Sequence, residues 1–175
     1  MQQLQQDEAP LWELAASGSP AFNHARYLLS ASGYPVYDEA DATYFPCGED
    51  CWRAMLRELK KAEKYIFIEF FIIARGKMWD SVLEILTRKA AAGVTVRVVY
   101  DDFGCITRLP MGYAKKLAAR GIQAHAFNQY IPILSARLNN RDHRKLMIID
   151  GKAAFTGGVN LADEYINEMH PHGNW

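Results

Sequence analysis

Three short apolar runs, separated by segments with helical spacing, constrain the fold of this chain more than any other feature. The runs cover Tyr65–Ile73, Val94–Tyr100 and Ile122–Phe127, and the first is rich in β-branched and aromatic residues, which is typical of a buried strand. The segments between them, Met78–Ala92 and Pro110–Ala119, carry apolar residues at helical spacing. Strands that alternate with helices predict an α/β fold, with a mixed, largely parallel sheet flanked by helices on both faces.

Shorter patterns complete the predicted elements. They are, in chain order, a helix at Phe22–Leu29, a strand at Thr43–Phe45, a helix from Gly48 to Ala62 and a last helix at Leu161–Asn167. Leu146–Ile149 and Ala153–Thr156 are predicted to form a hairpin, because the Asp-Gly pair between them favours a type I′ turn. We expect residues 1–40 to be a partly helical N-terminal extension and residues 41–175 to form the α/β domain.

Charge, hydropathy and cysteine content exclude several classes of protein. Twenty basic and twenty acidic residues cancel, so no nucleic-acid partner is expected. No apolar run approaches the ~20 residues of a transmembrane helix, and Met1–Leu11 lacks the basic and apolar parts of a signal peptide, so the chain itself is expected to be soluble. Cys47 and Cys51 are four residues apart but supply only half a metal site, so we expect no metal and no cofactor.

The stretch from Asn139 to Asn160 has the clearest chemical pattern. His143 and Lys145 are two residues apart, so on an extended strand their side chains point to the same face. The glycine pair Gly157-Gly158 follows and is predicted to open a helix. An imidazole beside an ammonium group, facing glycine amides at a helix N-terminus, predicts a phosphate site that contains a nucleophile.

This stretch resembles the signature of the phospholipase D superfamily. The HxKxxxxD motif and the GGxN element are matched by His143, Lys145, Asp150, Gly157, Gly158 and Asn160. The wider sequence from about Ala21 to Trp175, with IFIEFFII, GVTVRVVYDDFG and FTGGVNLADEYIN, is similar to the first catalytic half of bacterial cardiolipin synthases. The resemblance identifies residues 41–175 as a phospholipase D-like catalytic half-domain, which we expect to be truncated at its C-terminal end.

The resemblance implies a phosphatidyltransferase that acts on phosphatidylglycerol through a phosphohistidine intermediate. His143 would attack phosphorus, since an imidazole with an ordinary pKa of ~6.5 is available in its neutral form near pH 7. The substrate phosphate would be held by Lys145, Asn160, Gly157 and Gly158. Asp150 belongs to the catalytic signature, but Asp-Gly is also the pair that a type I′ turn favours, so an architectural role stays open.

The family also implies partners that a single half lacks. Its members carry transmembrane helices and a second HxKxxxxD motif, and neither occurs in these 175 residues. The resemblance implies a full-length protein at the cytoplasmic face of the bacterial cell membrane, with a phospholipid substrate, contact with the membrane surface and a second catalytic half or a homodimer partner. The isolated chain is expected to be nearly inactive, because the leaving alkoxide needs an acid from that second half.

Two other functions remain open at this point. A single-motif phosphodiesterase or nuclease that works as a homodimer would use the same residues on another phosphodiester. A non-catalytic domain that binds phospholipid headgroups would use them without turnover.

Three acidic residues also have two interpretations each. Glu69 lies alone in an apolar run, and a buried carboxylate costs several kcal/mol unless it is paired. It is either a structural ion pair, with Arg141 or Lys152, or a possible carboxylate of the active-site cleft. Asp101 and Asp102 end a strand, where α/β folds collect functional side chains, but acids there also cap the next turn.

Overall fold

The computed structural model describes residues 8–38, 40–129 and 140–170. The chain divides into two units, Met1–Tyr44 and Phe45–Trp175, and each is described by itself.

The first unit contains two helices, α1 (Ala9–Ala16) and α2 (Ala21–Ser32). Helix α2 includes the predicted helix and ends before Gly33, whose φ of 69° is the left-handed conformation that commonly terminates helices. The polar sequence around α1 did not predict a helix, although Pro10 at its start is a favoured residue there.

The second unit alternates helices with strands, and the predicted mixed α/β sheet flanked by helices is confirmed. Its elements are α3 (Gly48–Lys61), β1 (Tyr65–Phe70), α4 (Lys77–Ala91), β2 (Thr95–Asp101), α5 (Asp102–Cys105), α6 (Tyr113–Ala118), β3 (Gln123–Phe127), β4 (Lys145–Ile149), β5 (Ala153–Thr156) and a 3-10 helix (Asp163–Ile166). The described strands form one sheet in the order β3-β2-β1-β4-β5. Strands β3, β2 and β1 are mutually parallel, whereas β4 is antiparallel to both β1 and β5.

One face of the sheet forms the core. Ile66, Ile68 and Phe70 alternate along β1 and are buried against helices α3, α4 and α6. Phe67 and Glu69, between them, point to the opposite face and are half-buried. The sequence of β1 is apolar at every position except Glu69. The alternation between buried and half-buried side chains is seen only in the structure.

The C-terminal segment holds the beginning of helix α4. The carboxylate of Asp163 accepts hydrogen bonds from the backbone N–H groups of Lys77 at 2.9 Å and Met78 at 2.8 Å. Such a bond satisfies amides that the first turn of a helix leaves without intrahelical partners. The C-terminal segment is therefore fixed to the beginning of α4, a few residues after the carboxyl end of β1.

Two short elements differ from the prediction. Residues 43–45 have no strand partner among the described residues, so the predicted strand there is wrong. The predicted helix Leu161–Asn167 is a 3-10 helix that begins only at Asp163. No helix in the described ranges is both long and apolar enough to cross a bilayer.

Candidate active site

The carboxyl end of strand β1 brings the imidazole and ammonium groups of the motif together. Because β4 is antiparallel to β1 and pairs Lys145 with Phe70, the residues before Lys145 lie beside those that follow Phe70. The ring of His143 lies 4.8 Å from the ring of Phe71, measured between centroids. The ammonium nitrogen of Lys145 lies 5.4 Å from the centroid of the same ring. Phe71 is thus the shared neighbour of both side chains.

The Lys145 side chain is almost completely buried. Only 5% of the residue is exposed, and its Nζ donates a hydrogen bond to the backbone carbonyl oxygen of His143 at 2.6 Å. Burial lowers the pKa of Lys145, and the nearby Asp142 carboxylate partly opposes that effect. An ammonium group has three N–H donors, so this bond leaves donors for an anion. The neighbouring His143 side chain is exposed and accessible to a ligand.

Asn160 is fixed next to the same part of β1. Its Oδ1 accepts a hydrogen bond from the backbone N–H of Ile72 at 3.0 Å, and its Nδ2 donates one to the hydroxyl of Tyr165 at 2.8 Å. The residue is 3% exposed. These two bonds orient the amide, and the second N–H of Nδ2 is the group that a phosphate oxygen would accept from.

Gly157 and Gly158 do not stand at a helix N-terminus, so that part of the prediction is wrong. The next helical residue is Asp163. The first turn of its 3-10 helix contains two acidic side chains, those of Asp163 and Glu164. A Cβ atom added to either glycine would meet no heavy atom within 4 Å. The glycine pair therefore leaves open space beside Asn160, but this space does not face a helix N-terminus.

Asp150 lies at the other end of strand β4 from Lys145, roughly 16 Å away at ~3.3 Å per residue. Its carboxylate accepts hydrogen bonds from three consecutive backbone N–H groups, those of Glu63 (2.7 Å), Lys64 (2.9 Å) and Tyr65 (2.7 Å). These bonds lower the pKa of Asp150. The structure thus separates Asp150 from the other two residues of the motif and places it where β1 begins.

The turn around Asp150 has the predicted geometry. Asp150 and Gly151 both have positive φ, at 54° and 69°, as the two central residues of a type I′ turn require. The backbone N–H of Lys152 donates to the carbonyl oxygen of Ile149 at 2.9 Å and closes the turn.

Glu69 forms an ion pair, but with a residue that the sequence did not suggest. Its Oε1 lies 2.6 Å from a guanidinium nitrogen of Arg144, instead of pairing with Arg141 or Lys152. Since Lys145 pairs with Phe70, Glu69 points to the opposite face of the sheet from Lys145. The geometry therefore favours the structural ion pair over the cleft carboxylate.

Arg144 also binds Asp142 and so links two carboxylates. Its Nε lies 2.9 Å from the Asp142 carboxylate. A hydrogen bond with Asp142, together with burial, raises the pKa of Glu69 to about 7. Burial acts to raise the pKa of Asp142, but hydrogen bonds from Arg144 and Glu69 outweigh it and lower that pKa to about 2. The proximity of the two carboxyl groups therefore favours keeping a proton on this pair to a higher pH than on an isolated carboxyl group.

Asp101 is the buried acid that sequence reasoning left undecided. It is fully buried and caps helix α5 by accepting from the backbone N–H of Gly104 at 2.9 Å. It also accepts from the backbone N–H of Asp142 at 3.0 Å and from a guanidinium N–H of Arg141 at 3.3 Å. Its place at the end of a parallel strand was the sequence feature that pointed to a functional role. No sequence pattern singled out Phe71, which contacts His143 and Lys145, or Tyr165, which binds Asn160.

Comparison with known proteins shows the family of this chain. A family model described as the PLD-like domain of cardiolipin synthase matches residues 55–170. An uncharacterized protein from Streptococcus mutans is 46% identical over 172 residues, which cover 98% of this chain and 37% of that protein. A cardiolipin synthase from Geobacillus kaustophilus is 32% identical over 167 residues, which cover 93% of this chain and 33% of the synthase. The chain therefore spans little more than a third of these relatives.

Solved structures support the fold. NucT from Helicobacter pylori superposes with a TM-score of 0.50 at 13% sequence identity, over 70% of this chain and 74% of NucT. A likeness at this level of identity concerns the fold alone. The family model spans most of the sheet-containing unit and includes every residue of the two motifs. The chain therefore belongs to the family of phospholipase D-like domains found in cardiolipin synthases.

Proposed function

We propose that this chain is one catalytic half of a phosphatidyltransferase that acts on phosphatidylglycerol, with His143 as the nucleophile. The observation that carries the proposal is the exposed imidazole of His143 beside the buried ammonium group of Lys145, both against Phe71. Membership in the cardiolipin synthase family supports the choice of substrate.

In the first step, a ring nitrogen of His143 attacks the phosphorus of phosphatidylglycerol. The bond from phosphorus to the oxygen of the terminal glycerol breaks, and the phosphatidyl group stays on the histidine. The leaving glycerol oxygen takes a proton from an acid. In the second step, the hydroxyl of another phosphatidylglycerol attacks phosphorus, its proton is removed, and the P–N bond breaks. The products are cardiolipin and glycerol, and His143 is restored.

Lys145 and Asn160 would hold the non-bridging oxygens through both steps. Negative charge on these oxygens is stabilised best by donors that are already oriented and partly shielded from water. Lys145 is buried, and Asn160 is fixed by Ile72 and Tyr165, so neither needs much reorganisation when the substrate binds. We assign Asp150 an architectural role, because its carboxylate is fully engaged at the far end of β4.

The acid for the leaving glycerol would come from a second half or from a second copy of the chain. A glycerol alkoxide is a poor leaving group without a proton, and general acid catalysis is typically worth roughly 10²–10⁴-fold. The 175 residues contain a single HxKxxxxD motif. A monomer of this polypeptide should therefore turn phosphatidylglycerol over very slowly.

A substrate with a good leaving group separates the nucleophile from the missing acid. Phosphatidyl-p-nitrophenol releases nitrophenolate without protonation, so the monomer should give a burst of nitrophenolate and an acid-labile phosphatidyl adduct on the protein. The burst should be lost in His143→Ala and retained in His170→Ala, since both residues are exposed histidines but only His143 belongs to the site. A burst that survives His143→Ala would refute the proposed nucleophile.

Product analysis then tests the substrate class. With phosphatidylglycerol vesicles, thin-layer chromatography should show cardiolipin only where a partner half or a dimer supplies the acid, so the mass in solution is measured alongside. If the chain hydrolyses bis(p-nitrophenyl) phosphate or DNA but leaves the lipid ester untouched, it is a phosphodiesterase of the nuclease type. If the lipid binds without any burst, the chain is a phospholipid-binding domain.

A further inference from the structure

A groove between helices α4 and α6 has no part in the chemistry proposed above. It encloses about 600 Å³, which lies within the usual range for small-molecule sites of roughly 300–1,000 Å³. Its walls are one face of each helix together with the turn at Arg75 and the loop at Pro110. None of the residues that line it belongs to the candidate active site.

The groove concentrates positive charge in a chain that has no net charge. Its lining includes four cationic side chains, Arg75, Arg88, Lys116 and Arg120, against two carboxylates, Asp80 and Glu84. Glu84 is already paired with Arg88, at 3.3 Å between side-chain atoms. Within the described residues, Arg75, Lys116 and Arg120 form no ion pair. With four cations and two carboxylates, the groove carries a formal charge of +2.

The floor of the groove is apolar and fixed. Leu83 and Leu117 are buried members of the core, and both also line the groove. The hydroxyl of Tyr113, another lining residue, accepts a hydrogen bond from Nε1 of Trp79 at 2.7 Å. A rigid apolar floor below several cationic groups fits a ligand that has an anionic head and a less polar remainder.

We propose that this groove binds a phosphate-bearing anion, either a soluble phosphate ester or the headgroup of an anionic phospholipid. Guanidinium and ammonium groups form charge-assisted hydrogen bonds to phosphate oxygens, and arginine does so with two parallel donors. The four cationic side chains come from α4, from α6, from the turn before α4 and from the turn after α6, so the ligand bridges α4 and α6. The apolar floor gives the headgroup of a phospholipid, with the first part of its chains, an additional contact.

The test is a residue-resolved titration of the whole 175-residue chain by ¹⁵N–¹H NMR. Glycerol 3-phosphate and dihexanoyl phosphatidylglycerol, the latter below its micelle concentration, are added in separate series. Both should shift the backbone amides of Thr87, Lys116 and Arg120 in a saturable manner. Tighter binding of the lipid, with added shifts at Leu83 and Leu117, assigns the site to a headgroup, and equal binding assigns it to soluble phosphate esters. Saturable shifts confined to the region of Lys145 and Asn160 would overturn the proposal.

The matched variants lie one residue apart on α6. Lys115 and Lys116 are both exposed, but only Lys116 lines the groove. The double variant Lys116→Ala/Arg120→Ala should weaken binding in the groove by roughly tenfold or more, as the loss of hydrogen bonds to a charged group implies. Lys115→Ala should leave the affinity within twofold of the unchanged chain, because the Lys115 side chain does not line the groove. Equal losses in both would mean non-specific attraction and would overturn the site. Circular dichroism confirms that each variant is folded.

Discussion

Asp101 accepts a hydrogen bond from the backbone N–H of Asp142, with 3.0 Å between the carboxylate oxygen and the nitrogen. This bond connects the end of strand β2 to the residue that immediately precedes His143. Residues 140–144, directly before β4, belong to no helix or strand, so they depend on such contacts for their position. A fully buried carboxylate therefore fixes the backbone that presents the proposed nucleophile.

The first prediction concerns this anchor. Asp101→Ala should lower the free energy of unfolding by about 2–4 kcal/mol, because it leaves the buried N–H of Asp142 and two further donors without their acceptor. Urea denaturation measures the change. Asp102→Ala is the matched control and should cost less than half as much, since Asp102 is only half-buried. Equal losses in the two variants would contradict the anchor.

The second prediction concerns the ammonium group. Lys145→Ala should weaken the binding of inorganic phosphate at the candidate active site by roughly tenfold, because a buried charge that donates to an anion is lost. Lys152→Ala, at the exposed turn of the same hairpin, should leave that affinity unchanged. The affinity is followed by the NMR shift of the Asn160 amide. An effect of Lys152→Ala as large as that of Lys145→Ala would show that long-range charge is responsible.

The third prediction separates stability from binding at Asp150. Asp150→Ala should lower the urea midpoint, because three backbone donors lose their acceptor and alanine tolerates the positive φ of 54° poorly. Asp150→Asn should lower it less, since asparagine adopts this conformation more easily and keeps one oxygen. Both folded variants should bind phosphate as the unchanged chain does. Loss of phosphate binding by a folded variant would give Asp150 a direct role in the site.

The fourth prediction is a pH dependence at Glu69. A hydrogen bond with Asp142 and burial raise the pKa of Glu69 from 4.5 to about 7, so between these values the folded state keeps a proton that the unfolded state has released. The stability contributed by Glu69 is therefore complete below pH 4.5 and is lost as the pH rises through about 7. The opposite contribution of Asp142, whose pKa is lowered to about 2, changes only in more acidic solution.

Glu69→Gln tests this directly, because glutamine keeps an N–H donor at every pH. The variant should match the unchanged chain in unfolding free energy below pH 4.5 and exceed it above pH 7. Denaturation in urea across this range gives the difference at each pH. Glu63→Gln, which changes an exposed carboxylate just before β1, is the control and should show no such trend. If the difference in unfolding free energy between Glu69→Gln and the unchanged chain does not vary with pH, the pKa of Glu69 is not raised.

The strands and the motif could be predicted from sequence because both depend on local spacing. Runs rich in β-branched and aromatic residues mark β1 and β2, and the two-residue spacing of His143 and Lys145 places them on one face of a strand. Asp150 was left between two roles by its sequence alone. Its partners lie at the start of β1, far away in the chain, and only the pairing of β1 with β4 brings them together.

The predictions that were wrong concern features that depend on contacts between residues far apart in the sequence. The segment after Gly158 was expected to be helical, but Leu161 instead exchanges backbone hydrogen bonds with Ile72 and Ala74, which follow the end of β1. Asp163, which would favour a helix start in its own segment, caps helix α4 instead. The pairing of Glu69 with Arg144 likewise follows from the register of β1 against β4, which no local pattern contains.

The central place of β1 in the sheet has a consequence for biosynthesis. One edge of this strand pairs with β2, which follows soon after it, but the other edge pairs with β4, close to the end of the described chain. At ribosomal rates of ~5–20 residues per second, the second edge of β1 stays open for several seconds while the intervening residues are made. An unpaired edge next to apolar side chains is a template for pairing with other nascent chains. Chaperone dependence and aggregation during expression should therefore be governed by the arrival of the His143–Ile149 segment, and less by the helices that fold before it.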